Sequence, residues 1–332
     1  MRTAFLFPGF GAYYAAPFAG WPLARDVAES VAAEVDTIAA SYDLPQVAPS
    51  LLQAEDRSPG AAFPPDSDVR ALEIFAAEIT CYRLLREQAG ITPDVLCGHS
   101  LGEYAALVAA EGLSLPEGVR LLCERIRTLR QHRVPEGGML AVRLSPREAR
   151  RLTREEPTTV IAAVNGTRQV VLSGPSASLD RLHQLLAARG RTATRLRTGP
   201  TPHHHPLLTD AYRHHAAAVR RTPAWALRHR VHSPVLGRSY LPCDDLAQAL
   251  ALQMVLPVHF LEALVDLCDD GVGVFVECGP RRTLSGLVES AAPQALALAP
   301  FRTRVTRNRL HSGLIGTERP AEEETWSPTA MS

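Results

Sequence analysis

The stretch Val95-Leu96-Cys97-Gly98-His99-Ser100-Leu101-Gly102-Glu103-Tyr104-Ala105-Ala106-Leu107-Val108-Ala109-Ala110 decides how this chain is read. An apolar run enters a Gly-x-Ser-x-Gly pentapeptide, and a helix-prone run leaves it. That is the strand, sharp turn and helix setting in which a serine is lifted off a sheet edge and becomes a nucleophile. Glycine on both sides lets the backbone turn without a Cβ clash. The N–H of Leu101, at the start of the helix, is expected to face whatever Ser100 attacks. The fold class that follows is α/β, with a parallel sheet in the body.

The bulk of the chain fits that setting. Its 332 residues suffice for about two domains. Hydrophobic residues make up 46% and charged residues 21%, as in an ordinary soluble globular protein. The 35 basic and 35 acidic residues cancel to a net charge of +0. That balance gives no electrostatic footprint for a nucleic acid or a membrane surface as partner. Every basic residue is an arginine, because the sequence contains no lysine. Cys81, Cys97, Cys123, Cys243, Cys268 and Cys278 form no C-x-x-C pair and mostly lie in apolar runs. They read as reduced, buried thiols of a cytoplasmic protein. The apolar part of MRTAFLFPGFG is too short for a secretory signal. No run approaches the roughly 18 apolar residues of a membrane span.

Working outward, residues 3–7 read as a buried strand, 23–40 as a helix, 44–66 as a loop and the segment after Ser67 as a second helix. Strand 95–97, the Ser100 turn and its helix follow, then a helix over 116–132. Residues 138–197 look like a module of their own. A strand over 138–144 precedes a helix opened by Ser145-Pro146. Strands 160–164 and 169–172 are joined at Asn165-Gly166, a hairpin signal. A helix over 178–188 and a strand over 192–196 complete a β-α-β-β-α-β order, the split βαβ of a ferredoxin-like subdomain. Segments 231–237, 253–267 and 272–277 supply strand, helix and strand to the larger body, and Gly279-Pro280 introduces a last helix. This divides the chain into a large α/β body (1–134 and 200–301), a ferredoxin-like insert (135–199) and a mobile C-terminal tail (302–332).

Taken together, FPGFG at 7–11, GHSLGEYAALV at 98–108, an arginine at 125, PEGGMLAV at 135–142, AAVNGTRQVVLSG at 162–174, PHHHPLL at 202–208, QMVLPV at 253–258 and FVECGP at 275–280 resemble one family. It is the malonyl-CoA:acyl-carrier-protein transacylases, which include the acyltransferase domains of polyketide synthases. The blocks keep the family's order and spacing from Phe5 to about Val288. The resemblance implies an α/β-hydrolase-like body with the ferredoxin-like insert, and a serine acyltransferase. Ser100 would carry the acyl group as an ester and His204 would act as its base. His205 is the fallback within His203-His204-His205; a metal site or no role is the other reading of that run. With no Asp at triad spacing, the resemblance implies that the backbone carbonyl of Gln253 orients His204.

The oxyanion hole would be the N–H groups of Leu101 and Phe10. The family carries a glutamine where this chain has Phe10, but a backbone donor survives any replacement except proline. Arg125 matches the family arginine that grips the free carboxylate of a malonyl group. Its other reading is a surface arginine beside Arg127 and Arg130. His203, before the base, would line the acyl pocket, and His99 is a further substrate-binding candidate. Asn165 is sufficiently explained as a turn residue. No cofactor is implied to stay bound. Acyl-CoA or a phosphopantetheinyl acyl carrier protein would be substrate, and the carrier protein the partner. Arg150, Arg151, Arg154 and Arg282 are candidates for an electropositive mouth. The leading expectation is a trans-acting enzyme of polyketide assembly, with malonyl as the first guess. An editing acyl hydrolase, a transferase for another acyl group and a non-enzymatic carrier-docking scaffold remain as alternatives.

Overall fold

Strands buried on both faces of a parallel sheet read as unbroken apolar runs, and residues 4–7 and 95–97 are such runs. In the computed structural model Phe5, Phe7 and Leu96 enter one core, while Ala4, Leu6, Val95 and Cys97 enter another on the opposite face. The structure describes residues 1–12, 17–53, 67–132 and 134–302. The expected tail over 302–332 therefore falls, apart from Arg302, outside the described residues.

The chain runs β1 (Arg2–Phe7), α1 (Pro22–Ala40), α2 (Ala48–Leu52), α3 (Ser67–Arg83), β2 (Val95–Gly98), α4 (Gly102–Ala109), α5 (Leu115–Gln131), β3 (Gly137–Val142), α6 (Pro146–Glu155), β4 (Val160–Gly166) and β5 (Gln169–Pro175). It continues through α7 (Ser176–Ala188), β6 (Ala193–Arg195), α8 (Thr209–Val219), β7 (Arg230–Ser233), β8 (Arg238–Ser239), α9 (Leu246–Leu252), α10 (Phe260–Asp269), β9 (Val272–Glu277), α11 (Leu284–Ala291) and β10 (Leu296–Leu298). One sheet has the order β10-β9-β1-β2-β7-β8. It is parallel from β10 to β7, with β8 antiparallel to β7. The other, β4-β5-β3-β6, is antiparallel throughout and packs α6 and α7 on one face. Helices α1, α3, α4 and α5 cover one face of the parallel sheet, and α10 and α11 the other. Capping boxes fix two helix starts, Ser114 with Glu117 on α5 and Ser145 with Glu148 on α6.

Main-chain bonds join the two sheets. Val164 N–H donates to the Val258 carbonyl, and Val258 N–H donates to the Ala162 carbonyl, each at 2.9 Å. They make a parallel bridge between Ala163 and Val258. The edge strand β4 is thereby tied to the segment that follows Gln253.

Several expected elements change. The 44–66 loop contains α2, and its residues 54–66 lie outside the described ones. No helix spans 253–267. Helix α9 ends at Leu252, Gln253 is its C-cap, and Pro257 intervenes before α10. The 231–237 strand is the shorter β7, which turns through Gly237 into β8. Asn165 and Gly166 belong to β4, so the hairpin loop is Thr167-Arg168. Helix α8 and strand β10 have no counterpart in the sequence reading.

Candidate active site

Ser100 sits between β2 and α4 with φ of +54°. A non-glycine residue in this left-handed region is a strained position, and such strain clusters at functional sites. The flanking glycines are there because nothing else fits. A Cβ on Gly98 would lie 2.3 Å from the Glu103 Cα, and one on Gly102 would lie 2.0 Å from the Phe7 carbonyl oxygen. Helix α4 can therefore start directly above β1. Gly9, at φ +65°, comes equally close, since its Cβ would meet the His99 carbonyl oxygen at 2.6 Å. The N-terminal loop thus presses on the Ser100 turn. Among the described residues Leu101 N–H, just outside α4, donates to no protein acceptor.

His204 also has a positive φ, +57°. Its Nε2 lies 2.7 Å from Ser100 Oγ, and its Nδ1 lies 2.9 Å from the Leu256 carbonyl. A carbonyl can only accept, so Nδ1 carries the proton and Nε2 is free to accept the Ser100 O–H. Burial holds the His204 pKa down at about 3, with Arg125 and His99 nearby adding to the effect. The imidazole is therefore neutral, with the Nε2 lone pair turned to Ser100 Oγ. The expected orienting carbonyl is corrected here. Leu256 supplies the 2.9 Å acceptor, and the Gln253 carbonyl is a lesser partner. Because α9 ends before Gln253, the turn over 253–256 brings Leu256 to the ring.

The three consecutive imidazoles diverge. His205 Nδ1 accepts from Leu207 N–H at 2.9 Å, and its Nε2 donates to the Thr158 carbonyl at 3.1 Å. That ring caps the turn Pro206–Leu208. His203 Nδ1 accepts from Arg125 Nη2 at 3.2 Å, and its ring stacks on Phe10 with centroids 5.7 Å apart. Burial, with Arg125 next, keeps His203 neutral. Among the described residues no group of three His, Cys, Asp or Glu is placed to hold a metal ion.

Arg125 projects from α5 and is only 6% exposed. No carboxylate pairs with it among the described residues, and its buried Nε has no partner. A buried guanidinium in that state is energetically costly to the fold. This placement excludes the surface-arginine reading, since Arg127 pairs with Glu124 on the exposed flank of the same helix.

The antiparallel sheet reaches the residue next to Ser100. Asn165 Oδ1 accepts from His99 Nε2 at 2.7 Å, and the His99 ring meets Phe260 edge-on at 5.2 Å. Asn165 is buried and has no positive φ, so the turn-residue explanation is replaced by a side-chain one. Glu103, in the first turn of α4, is wholly enclosed. It accepts from Tyr240 Oη at 2.6 Å and from Gln253 Nε2 at 2.8 Å. Burial pushes its pKa up to about 7. Gln253 therefore acts mainly through its side chain, tying α4 to the turn that carries Leu256.

Sequence reasoning missed Asn165, Leu256 and Glu103. For Glu103 a signal existed, a lone carboxylate inside an otherwise apolar helical run. For Leu256 none did, because a carbonyl is common to every residue. Of the arginines proposed for the mouth, Arg150, Arg151 and Arg154 lie on α6, and Arg282 is paired with Glu289.

Residues 5–312 match the family described as acyl transferase domain. The chain is 33% identical over 240 residues to polyketide synthase GfsA of Streptomyces halstedii, covering 70% of this chain and 3% of that one. It is 30% identical over 223 residues to the malonyl CoA-acyl carrier protein transacylase of Haemophilus influenzae, covering 65% of this chain and 71% of that one. The chain thus spans a small fraction of the synthase and about seven-tenths of the transacylase. Among solved structures, a loading acyltransferase from the avermectin modular polyketide synthase superposes with a TM-score of 0.82 at 26% identity, over 94% of this chain and 98% of that one.

Proposed function

The chain belongs to the acyl transferase domain family, and on that premise we propose that it moves a malonyl group from a CoA or carrier-protein thioester to the phosphopantetheine thiol of an acyl carrier protein. The observation that carries this reading is the 2.7 Å contact of Ser100 Oγ with His204 Nε2, with the opposite nitrogen held by a carbonyl. As Oγ attacks the thioester carbonyl carbon, its proton passes to His204 Nε2. The N–H groups of Phe10 and Leu101 receive the oxyanion. The carbon–sulfur bond breaks, and the departing thiolate takes the proton from His204. An acyl ester remains on Ser100. In the second half the carrier thiol gives its proton to His204 and attacks the ester. Ser100 then leaves and recovers the proton. Leu256 holds the imidazole in the required tautomer throughout, which needs no triad carboxylate.

Arg125 supports malonyl as the cargo, because its buried, unpartnered Nε–H and its neighbouring Nη2 offer a fork to a free carboxylate. The stacked Phe10 and His203 rings would wall the same pocket. In the same reading, residues 1–134 and 200–301 form an α/β-hydrolase-like body around a ferredoxin-like insert at 135–199. The order β3-α6-β4-β5-α7-β6 supports the insert. The carrier protein, discrete or within a polyketide synthase, is the partner, and no resident cofactor takes part.

Intact-protein mass spectrometry tests this. With malonyl-CoA the protein should gain one malonyl mass, Ser100→Ala should gain none, and a phosphopantetheinylated carrier protein should collect the label. Loss of the label to water without carrier would instead make the protein a hydrolase.

A further inference from the structure

Glu78 lies in the middle of α3 and is fully enclosed. Its Oε1 accepts from the backbone N–H of Gly9 at 2.6 Å. Its Oε2 is buried and has no partner. No step of the acyl-transfer chemistry uses it, yet a buried carboxyl with a single hydrogen bond is costly to keep.

Its neighbours show which form it takes. Glu277, at the end of β9, accepts from Thr283 N–H at 2.8 Å, Ser285 N–H at 2.8 Å and Ser285 Oγ at 2.7 Å. With three donors Glu277 is the better place for a negative charge. Burial, and then Glu277 itself, push the Glu78 pKa well up. Glu78 is thus a neutral acid offering one lone pair to Gly9.

That lone pair falls on a sensitive joint. Gly9 connects the end of β1 to Phe10, whose N–H is the second oxyanion donor of the proposed reaction. A glycine at φ +65° has wide backbone freedom. On its far side the joint already touches the Ser100 turn. A Cβ on Gly9 would sit 2.6 Å from the His99 carbonyl oxygen and 3.3 Å from the Leu101 Cβ. Gly9 is therefore held between the serine turn and one carboxyl from a helix packed on α1 and α4. Two torsions separate the anchored Gly9 N–H from the plane of the Phe10 N–H.

We infer that Glu78 is a positioning residue for acyl transfer: from inside α3 it fastens the Gly9 N–H, and through it aims the Phe10 N–H at the oxyanion of the Ser100 adduct. This rests on the reading of Ser100 as the acyl carrier. It assigns to a residue far from the substrate a share of transition-state stabilisation, and none of substrate binding.

The test uses the full chain and the variants Glu78→Gln, Glu78→Leu and Glu78→Met. The rate of Ser100 acylation by malonyl-CoA is measured by rapid quench and intact mass. Binding of malonyl-CoA is measured separately, with each variant also carrying Ser100→Ala. Glutamine keeps the acceptor and resembles the neutral acid, so Glu78→Gln should acylate within about threefold of the wild-type rate. Leucine lacks the acceptor, and acylation should fall by roughly 10- to 100-fold, less than the roughly 100- to 1000-fold cost of losing one oxyanion donor outright, because the Phe10 N–H is misaimed and not removed. Malonyl-CoA affinity should stay within about twofold, because only the transition state feels the change. Should Glu78→Leu fail to fold, Glu78→Met, which matches the length of the side chain, is read in the same way. Wild-type acylation by the leucine or methionine variant overturns the inference. So does a loss of affinity proportional to the loss of rate, which marks a structural role. Absence of any acyl-Ser100 in the wild-type protein removes the functional reading itself, and that is seen before any substitution is made.

Discussion

Arg125 carries a charge into a place where charge is expensive. It is almost fully buried, gives one hydrogen bond to the neutral His203 ring, and leaves its Nε–H without a partner. An uncompensated buried cation destabilises the empty protein, so an arriving carboxylate recovers interaction energy that the fold leaves unused. Arg125→Ala should lower kcat/KM for malonyl-CoA by about 100-fold, the size of a lost bidentate ionic pair. Acetyl-CoA, which has no second carboxylate, should change by less than about threefold. Equal losses for both substrates would remove Arg125 from cargo recognition. At this scale the sequence was legible where a side chain is the candidate. Ser100, His204 and Arg125 were singled out by position, and the structure places Ser100 Oγ against His204 Nε2 and Arg125 against the neighbouring His203. It was illegible where the main chain acts, as at Leu256, and where a common turn signal conceals a long-range contact, as at Asn165 reaching His99.

The turn at Ser100 is built by the approach of one helix to one strand. Because the Gly102 Cα lies against the Phe7 carbonyl, α4 begins close above β1, and the serine stands clear at the edge. Gly102→Ala would drive a methyl group into backbone that cannot give way. It should cost about 3 kcal/mol or more, a fall in Tm of roughly 4 °C or more for a chain of this size. Gly286, inside α11, has nothing within 4 Å of its would-be Cβ. Gly286→Ala should leave Tm unchanged or raise it slightly. If the two variants melt alike, contact with β1 is not what shapes the turn. Among elements, the sequence showed the strands and the amphipathic helices with large apolar residues. It hid α8, whose inward face is mostly Ala211, His215, Ala216 and Val219 and carries little hydrophobic contrast. The expected helix over 253–267 also failed at Pro257, where the residue before proline is driven away from helical angles and the chain turns instead toward His204.

Across the whole molecule, two sets of buried groups respond to acid in opposite ways. His99, His203, His204, His205, His215, His229 and His232 are depressed below 6.5 by burial, with His204 and His215 at about 3. Once unfolded they bind protons that the folded chain refuses, so their contribution to stability is lost as pH falls below about 6.5. Glu78, Glu103 and Glu277 are raised above 4.5 by burial. The folded chain holds protons there that the unfolded chain releases, so their contribution is present below 4.5 and is lost as pH rises through their folded values. Each group sets a slope of at most about 1.4 kcal/mol per pH unit. The histidines outnumber the raised carboxyls, so between roughly pH 6.5 and 4.5 the carboxyls offset only part of the histidine slope. Below 4.5 these carboxyls are protonated in both states and the offset is gone. Calorimetric Tm values taken every half pH unit should therefore fall gently from about pH 6.5 to 5 and more steeply toward pH 3. A decline as steep at pH 6 as at pH 4 would mean that the buried carboxyls are charged in the folded protein.

The bridge between Ala163 and Val258 gives the antiparallel and parallel sheets a shared seam of main chain, one turn away from the carbonyl that steadies the base. Anyone recombining this chain with a homologue meets a constraint there. Swapping residues 135–199 alone leaves the seam half native and half foreign, with the mismatch passed straight to the imidazole. Swapping residues 253–258 along with them moves both lips of the cleft as a matched set, so hybrid junctions belong outside that pair of segments.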